Sequence, residues 1–325
     1  MALINLMKEI NYTNSTLLNV KCGMLNSARE LVYNVHVCCP KDLPDSSVCG
    51  QSPPIFYIVG GKDAQLNQFP WTALLLYKRD IARPWTTSPR CAGSLITNRY
   101  VLTAAHCLTV TRFTEIGVRL GEHNLETNPD CIWLLKKKCA KPHVDIDVSL
   151  AIVHKQYHTR DGRHYNDIAL LRLARPVIYT AGIKPICIRP DFEIARSSFE
   201  NHTLEIAGWG DSSRQQYSSV LLHGTIRGMS PENCLTQFPT LRVDRDIQIC
   251  AMGRDGTDTG RGDSGGPLMA SVGRADHQFY YLAGITSYGG DASSYGCGPA
   301  VYTKTSSYIW WIKWNMMNIW KKSFM

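Results

Sequence analysis

Short runs of apolar or alternating residues, separated by Gly, Pro and Asn, fill most of the chain after about residue 58. Runs of this length between turn residues are typical of β-strands. Eight of them predict strands, at residues 72–77, 93–96, 101–105, 148–154, 168–173, 204–207, 280–287 and 300–303. Many short strands with frequent turn residues indicate an all-β barrel or sandwich.

The end of the chain has a different pattern. Isoleucine and methionine residues recur near helical spacing within residues 307–322, among four tryptophans. This spacing predicts a terminal helix with one buried face. Lys313, Asn315 and Asn318 interrupt an apolar run that is already short for a bilayer, so we expect no membrane span.

Composition limits the class of protein. The 325 residues are 44% apolar and 19% charged, which is typical of soluble globular proteins with one large domain or two to three modules. The formal net charge is +8. Because no nucleic-acid recognition motif accompanies this modest charge, we interpret it as a solvated basic exterior and expect no nucleic-acid partner.

Twelve cysteines at spread positions favour a disulfide framework in a secreted protein. No Cys-x-x-Cys pair occurs, so zinc is not expected. Glycosylation acceptors at Asn11, Asn14 and Asn201 agree with export. The first residues nevertheless lack a signal peptide, so we expect the sequence to be an N-terminally incomplete copy of a secreted protein.

The candidate chemistry centres on the stretch GRGDSGGPL at residues 260–268. Its glycines allow a tight turn, in which the N–H groups of Gly262 and Ser264 form a hole for a developing oxyanion. A serine nucleophile needs a base and an orienting carboxylate. His106, in LTAAHC, and Asp167, in YNDIALL, supply these residue types in the order His, Asp, Ser.

Together with IVGG at residues 58–61, these motifs resemble the trypsin/chymotrypsin-like serine proteases over about residues 58–320. The resemblance implies two antiparallel six-stranded β-barrels with the catalytic cleft between them and a junction near residues 176–185. We expect the terminal helix predicted at residues 307–322 to dock on the second barrel. The resemblance also implies the roles of the site residues: Ser264 attacks the scissile carbonyl, His106 moves the proton, and Asp167 orients His106.

The first 40 residues resemble the last half of a clip domain, the module that precedes protease domains in arthropod extracellular cascades. The resemblance is carried by Cys22, Cys38 and Cys39. We therefore expect a partial clip domain at residues 1–40 and a Pro- and Ser-rich linker at 41–57, followed by the protease domain. A disordered leader that happens to contain Cys-Cys is the alternative for the first segment.

In the family, cleavage before the residue matching Ile58 creates an ammonium group that pairs with the residue matching Asp263. Cascade proteases usually carry Arg or Lys before that bond, whereas this chain carries Tyr57. Either a chymotrypsin-like enzyme activates the chain, or it remains a zymogen.

The family framework also implies disulfide bridges, which pair Cys91 with Cys107, Cys131 with Cys139, Cys234 with Cys250, and Cys49 with Cys187. Cys297 is left over, because the position of its usual partner is Gly260. We therefore expect a looser pocket wall and a free or intermolecular Cys297.

Substrate preference follows from Asp258, six residues before Ser264. The resemblance makes it the floor of the primary pocket, where a carboxylate favours Arg or Lys in the substrate. Gly289 would line the entrance, and Ser287 and Tyr288 would pair with the substrate backbone. Ala300 matches a wall position that usually holds Gly, so its methyl would narrow the pocket.

We expect no cofactor; Glu122 alone suggests the calcium loop of some relatives. The lysines at 136–138 indicate a solvent-exposed basic segment without a binding role. The alternative is an exosite that binds an acidic partner. The implied partners are a protein substrate, namely an extracellular zymogen or proform, and serpin-type inhibitors. Two other functions stay open: a catalytically silent protease homologue that acts as a cofactor or binding partner, and a broken gene copy without function.

Overall fold

The computed structural model describes the greater part of the chain, in the ranges 43–53, 63–78, 85–86, 88–109, 115–133, 137–189, 197–211, 217–239, 241–253, 258–273, 278–289 and 298–322. The clip-like segment, Tyr57, Ile58 and Cys297 lie outside the described residues, so the expectations about them remain predictions.

The first half of the described chain forms a closed antiparallel barrel of six strands. The strands are β1 (Thr72–Lys78), β2 (Ala92–Thr97), β3 (Tyr100–Thr103), β4 (Glu115–Leu120), β7 (Val144–Val153) and β10 (Ala169–Leu173). They follow the order β1-β2-β3-β10-β7-β4 around the barrel. Their inward side chains are mainly Leu, Ile and Val, and several are fully buried.

The second half forms another closed six-stranded barrel. Its strands are β11 (Thr203–Gly208), β12 (Leu222–Met229), β13 (Gln248–Gly253), β14 (Pro267–Val272), β15 (Phe279–Gly289) and β16 (Ala300–Lys304). They follow the order β11-β12-β13-β16-β15-β14 around the barrel. The predicted architecture of two six-stranded barrels is therefore confirmed, with the connection between them following β10.

All eight predicted strands are present. The one predicted at residues 101–105 ends earlier, at Thr103, because residues Ala105–Cys107 form a 3-10 turn. Several strands that the pattern did not predict contain glycine or polar residues, such as β12 with the sequence LHGTIRGM. Two small hairpins form separate two-stranded sheets, one of β5 (Cys131–Trp133) with β6 (Lys137–Cys139) and one of β8 (His158–Arg160) with β9 (Arg163–Tyr165).

Two buried tryptophans connect the barrels. Trp71, at the entry to β1, donates its indole N–H to the Met269 sulfur of β14 at 3.1 Å. Trp209, after β11, donates to the backbone carbonyl of His123 at 3.2 Å. Because burying an apolar surface excludes water and each indole N–H still finds an acceptor, these residues fix one barrel against the other.

The described helices are α1 (Pro231–Gln237), capped by Ser230, and the predicted terminal helix α2 (Ile309–Lys322). We expected α2 to pack on the second barrel. Instead, its Trp311 ring contacts His154, which follows β7 of the first barrel, at a centroid distance of 5.3 Å. The 3-10 turn Thr305–Tyr308 brings the chain there, because Tyr308 also contacts His154 and donates to Asn166 Oδ1. Neither described helix has the length and apolar content needed to cross a bilayer.

Candidate active site

The first barrel positions a histidine and an aspartate beside each other. Asp167 lies just before β10 and His106 just after β3, and these two strands are paired in the sheet. His106 donates from Nδ1 to Asp167 Oδ2 at 2.8 Å and from its backbone N–H to Oδ1 at 2.9 Å. These two bonds fix the orientation of the imidazole and leave Nε2 as the nitrogen free for proton transfer.

The carboxylate of Asp167 is buried, with only 1% of the residue exposed. It accepts a third hydrogen bond, from the Ser287 hydroxyl of the second barrel at 2.5 Å. Burial by itself would raise the pKa of Asp167. The bonds from His106 and Ser287 more than offset this and hold the pKa below its ordinary value, so the carboxylate is ionised at neutral pH.

Ser264 lies on a tight turn held by both barrels. Its carbonyl accepts from the backbone N–H of Ala92 at 2.7 Å. Gly265 has a φ of +80°, and a Cβ at this position would collide with Thr103 Oγ1, so only glycine fits. The Cys107 sulfur lies 3.6 Å from the Ser264 carbonyl oxygen and 3.8 Å from His106 Nε2. This shared contact places Ser264 next to the imidazole.

In the described part of the chain, no hydrogen bond joins the Ser264 hydroxyl to His106. The backbone N–H groups of Gly262 and Ser264 likewise donate to no described protein acceptor, whereas those of Asp263, Gly265 and Gly266 all do. Free N–H groups beside a serine hydroxyl are the donors that an oxyanion requires. Catalytic hydrogen bonds are often long before substrate binds, so this geometry is compatible with a serine nucleophile.

The carboxylate of Asp263 lies in a cradle formed by Gly208, Gly210 and Gly260. Its Oδ1 accepts from the Gly210 N–H at 2.8 Å and its Oδ2 from the Gly260 N–H at 2.9 Å. Burial raises the pKa of Asp263 to about 6, since two amide donors compensate only part of the lost hydration. A cation beside it would favour the ionised form. The proposed partner, the amino group of Ile58 after cleavage, lies outside the described residues.

Asp258 is a second partly buried carboxylate. Burial raises the pKa of Asp258 to about 7. A hydrogen bond from the Thr259 N–H at 2.7 Å favours the ionised form and offsets part of this rise. Thr259 in turn contacts the hydroxyl of buried Tyr302 at 3.3 Å. A partly buried carboxylate without a described cation is suited to binding a guanidinium or ammonium group.

The other predicted pocket residues lie on β15 and β16. Gly289 and Ala300 are directly opposed in the sheet, and Ala300 is buried. The register shifts between Thr286 and Tyr288, which leaves Ser287 at an irregular position in β15. Ser287 was predicted only as part of the substrate-binding edge; its bond to Asp167 was not foreseen, because nothing in the local sequence relates the two.

The structure contains the four disulfides that the family framework implies: Cys49–Cys187, Cys91–Cys107, Cys131–Cys139 and Cys234–Cys250. Another backbone segment lies close to residue 260. A Cβ on Gly260 would collide with the backbone carbonyl of Asp211, so this position excludes any side chain without a backbone shift.

Sequence reasoning also missed His164, three residues before Asp167. Its ring lies 5.0 Å from that of His106 and stacks on Tyr157, whose hydroxyl is 3.0 Å from His164 Nδ1. Burial lowers the pKa of His164, so the ring is neutral at neutral pH. Its proximity in sequence to Asp167 was the available signal.

The loop around Glu122 holds two buried carboxylates, Glu122 and Asp130. Glu122 accepts from Arg119 at 3.2 Å and lies 3.1 Å from His143 Nδ1. Asp130 accepts from the backbone N–H groups of His123 and Asn124. Burial, with Asp130 adding to it, raises the pKa of Glu122 to about 7. Glu122 was the one residue that suggested the calcium loop of some relatives, and in this structure its carboxylate is paired with Arg119 and His143.

Two closed barrels with an aspartate-held imidazole and a serine turn between them define a serine protease of the two-barrel class. Comparisons with known proteins identify the family. The family profile described as Trypsin matches residues 58–312. The chain belongs to the trypsin family of serine proteases.

Individual relatives within this family are clip-domain serine proteases. The Spaetzle-processing enzyme of Drosophila melanogaster is 36% identical over 326 residues, which covers 90% of this chain and 80% of that protein. The CLIP domain-containing serine protease HP8 of Bombyx mori is 33% identical over 337 residues, covering 95% and 88%. The crystal structure of the Drosophila Grass clip serine protease of the Toll pathway matches with a TM-score of 0.70 at 32% identity, covering 83% of this chain and 75% of that one. The resemblance to clip-domain proteases is therefore confirmed.

Proposed function

We propose that the chain is a secreted serine endopeptidase, made as a zymogen, that cleaves after Arg or Lys. The observation that carries this proposal is the ionised Asp167 holding His106 beside the Ser264 turn. In the proposed mechanism His106 Nε2 takes the proton of the Ser264 hydroxyl as its oxygen attacks the scissile carbonyl. The N–H groups of Gly262 and Ser264 then stabilise the oxyanion, and His106 returns the proton to the leaving amine.

The preference for a basic residue rests on Asp258. An ionised, partly buried carboxylate gains from a guanidinium partner and is left unpaired by an apolar side chain, so discrimination is large. The methyl of Ala300, buried opposite Gly289, narrows the pocket.

For the physiological substrate we propose another extracellular zymogen or proform, in an innate-immune, melanisation or developmental cascade. The names of the relatives support this, since one processes Spaetzle and another belongs to the Toll pathway. Serpin-type inhibitors are the proposed regulators. This assignment rests on analogy within the family.

The test begins with chymotryptic cleavage of the full chain, followed by N-terminal sequencing and labelling with a serine-directed phosphonate. We expect Ile58 at the new terminus and covalent capture at Ser264, with no capture in Ser264→Ala. Cleaved protein that is correctly processed but never labelled would favour the silent homologue instead.

Specificity is tested on a separate, unlabelled sample of the cleaved enzyme with peptides carrying Arg, Lys, Phe or Leu before the cleaved bond. We expect Arg and Lys to be cleaved and Asp258→Ser to lose this preference, while Asp161→Ser, an exposed control, retains it. Faster cleavage after Phe than after Arg in the unmodified enzyme would overturn the assignment of Asp258.

A further inference from the structure

Two imidazoles lie side by side at the candidate active site. The rings of His106 and His164 have centroids 5.0 Å apart and planes tilted by 41°. A nitrogen of each ring and a carboxylate oxygen of Asp167 all lie within 4.8 Å of one another. Both histidines are partly exposed, so an ion from solvent has access to them.

The hydrogen bonds of the two rings decide which nitrogens are available. Nδ1 of His106 is bonded to Asp167 Oδ2, and Nδ1 of His164 lies 3.0 Å from the Tyr157 hydroxyl. Each ring therefore keeps Nε2 for a further partner. Metal-binding histidines commonly have this arrangement, in which the second nitrogen donates to a carboxylate or another oxygen that fixes the tautomer.

The remaining candidate ligands are excluded by their own bonding. The sulfur atoms of Cys91 and Cys107 lie within 4.8 Å of a His106 nitrogen but are joined in a disulfide, so neither offers a thiolate. Asp167 accepts from His106 through both oxygens and from Ser287 as well, and only 1% of it is exposed. It orients His106 rather than binding a metal itself.

We propose that Nε2 of His106 and Nε2 of His164 bind one Zn²⁺ ion and that this binding reversibly inhibits the protease. Imidazole nitrogens are preferred zinc ligands, at about 2.0–2.1 Å, and water completes the four-coordinate shell. The lone pair of His106 Nε2 that binds the metal is the one that accepts the Ser264 proton, so both cannot occur at once. The inhibitory part of this inference rests on the proposed function; the binding part does not.

The competing interpretation is that His164 only packs against its neighbours. Its ring stacks on Tyr157 at 6.0 Å and lies 5.8 Å from Tyr288, which suits a wall of the cleft. This interpretation predicts no effect of zinc through His164, so a metal titration separates the two.

Binding is measured first, by calorimetric titration of ZnCl₂ into the uncleaved Ser264→Ala chain after any free thiols have been alkylated with iodoacetamide. We expect one site whose affinity falls at least about tenfold in His164→Gln and about 10–100-fold in Tyr157→Phe, which removes the hydroxyl that orients His164. His202→Gln, an exposed histidine on the second barrel, is the matched control and should bind as before. Equal zinc affinity in all of these variants would overturn the proposal.

Activity is measured next on the cleaved chain, each variant being compared with its own zinc-free rate. Zinc should inhibit the unmodified enzyme, EDTA should restore the rate, and His164→Gln should lose the inhibition. Zinc inhibition that survives His164→Gln refutes the proposed site. Cleaved protein without activity refutes the proposed function alone, because the titration of the uncleaved chain still decides whether the metal binds.

Discussion

The Ser287 hydroxyl donates a hydrogen bond to Asp167 Oδ2 at 2.5 Å, and it does so from the second barrel to the first. The base-orienting carboxylate therefore depends on correct docking of both barrels. A hydrogen bond to a charged group contributes about 1.5–3 kcal/mol, which exceeds most neutral bonds at a protein surface.

Removing this bond should slow catalysis. In Ser287→Ala we expect kcat to fall about tenfold or more, because a buried carboxylate that loses a donor holds the imidazolium less favourably. Ser271→Ala, which removes an exposed hydroxyl from the same barrel, should leave kcat unchanged. Steady-state kinetics on an Arg peptide checks this, and equal kcat values for the two variants would contradict it.

The Asp258 carboxyl should make binding of cationic ligands depend on pH. Because burial raises its pKa to about 7, it is protonated and neutral below that pH when the pocket is empty. Benzamidine affinity should therefore weaken by about tenfold for each pH unit below about 7 and level off above it. Inhibition constants across this range test the expectation. In Asp258→Ser binding should be weak at every pH, and a pH-independent constant in the unmodified enzyme would refute it.

The cradle of Asp263 should not tolerate a side chain at Gly210. A Cβ there would collide with Asp263 Oδ2, so Gly210→Ala should lower the free energy of unfolding by about 1–3 kcal/mol. It should also reduce phosphonate labelling of Ser264, because the turn that carries Ser264 follows Asp263 directly. Thermal unfolding gives the comparison with Gly298→Ala, whose Cβ would meet no atom within 4 Å. Equal melting temperatures would show that the cradle adapts.

The Cys49–Cys187 bridge should keep the N-terminal piece attached after cleavage before Ile58. Cys49 is fully buried, and the neighbouring Gly50 bonds to the backbone of Pro185 and Tyr280, so this segment belongs to the protease body. Gels of the cleaved chain should show one band without reductant and two bands with it. The double variant Cys49→Ser and Cys187→Ser should show two bands in either case. Release of the piece from the unmodified chain without reductant would contradict the prediction.

The sequence by itself determined the class of this protein. The motifs around His106, Asp167 and Ser264 each span only a few residues, and they follow one another in a fixed order. Short apolar runs indicate strands because the two-residue period of a strand can also be seen within a few residues. Strands that contain glycine or alternate weakly, such as β12, escaped this reasoning, since barrel closure supplies their pairing partners.

The tertiary structure alone decided which distant residues meet. The bond from Ser287 to Asp167 spans 120 positions, and the close approach of the Asp211 backbone to Gly260 joins two other distant segments. Likewise, α2 contacts His154 in the first barrel, and His164 lies against His106 only because β3 and β10 are neighbours. Such contacts depend on how two closed barrels dock, and no pattern within a few residues of the chain encodes that arrangement.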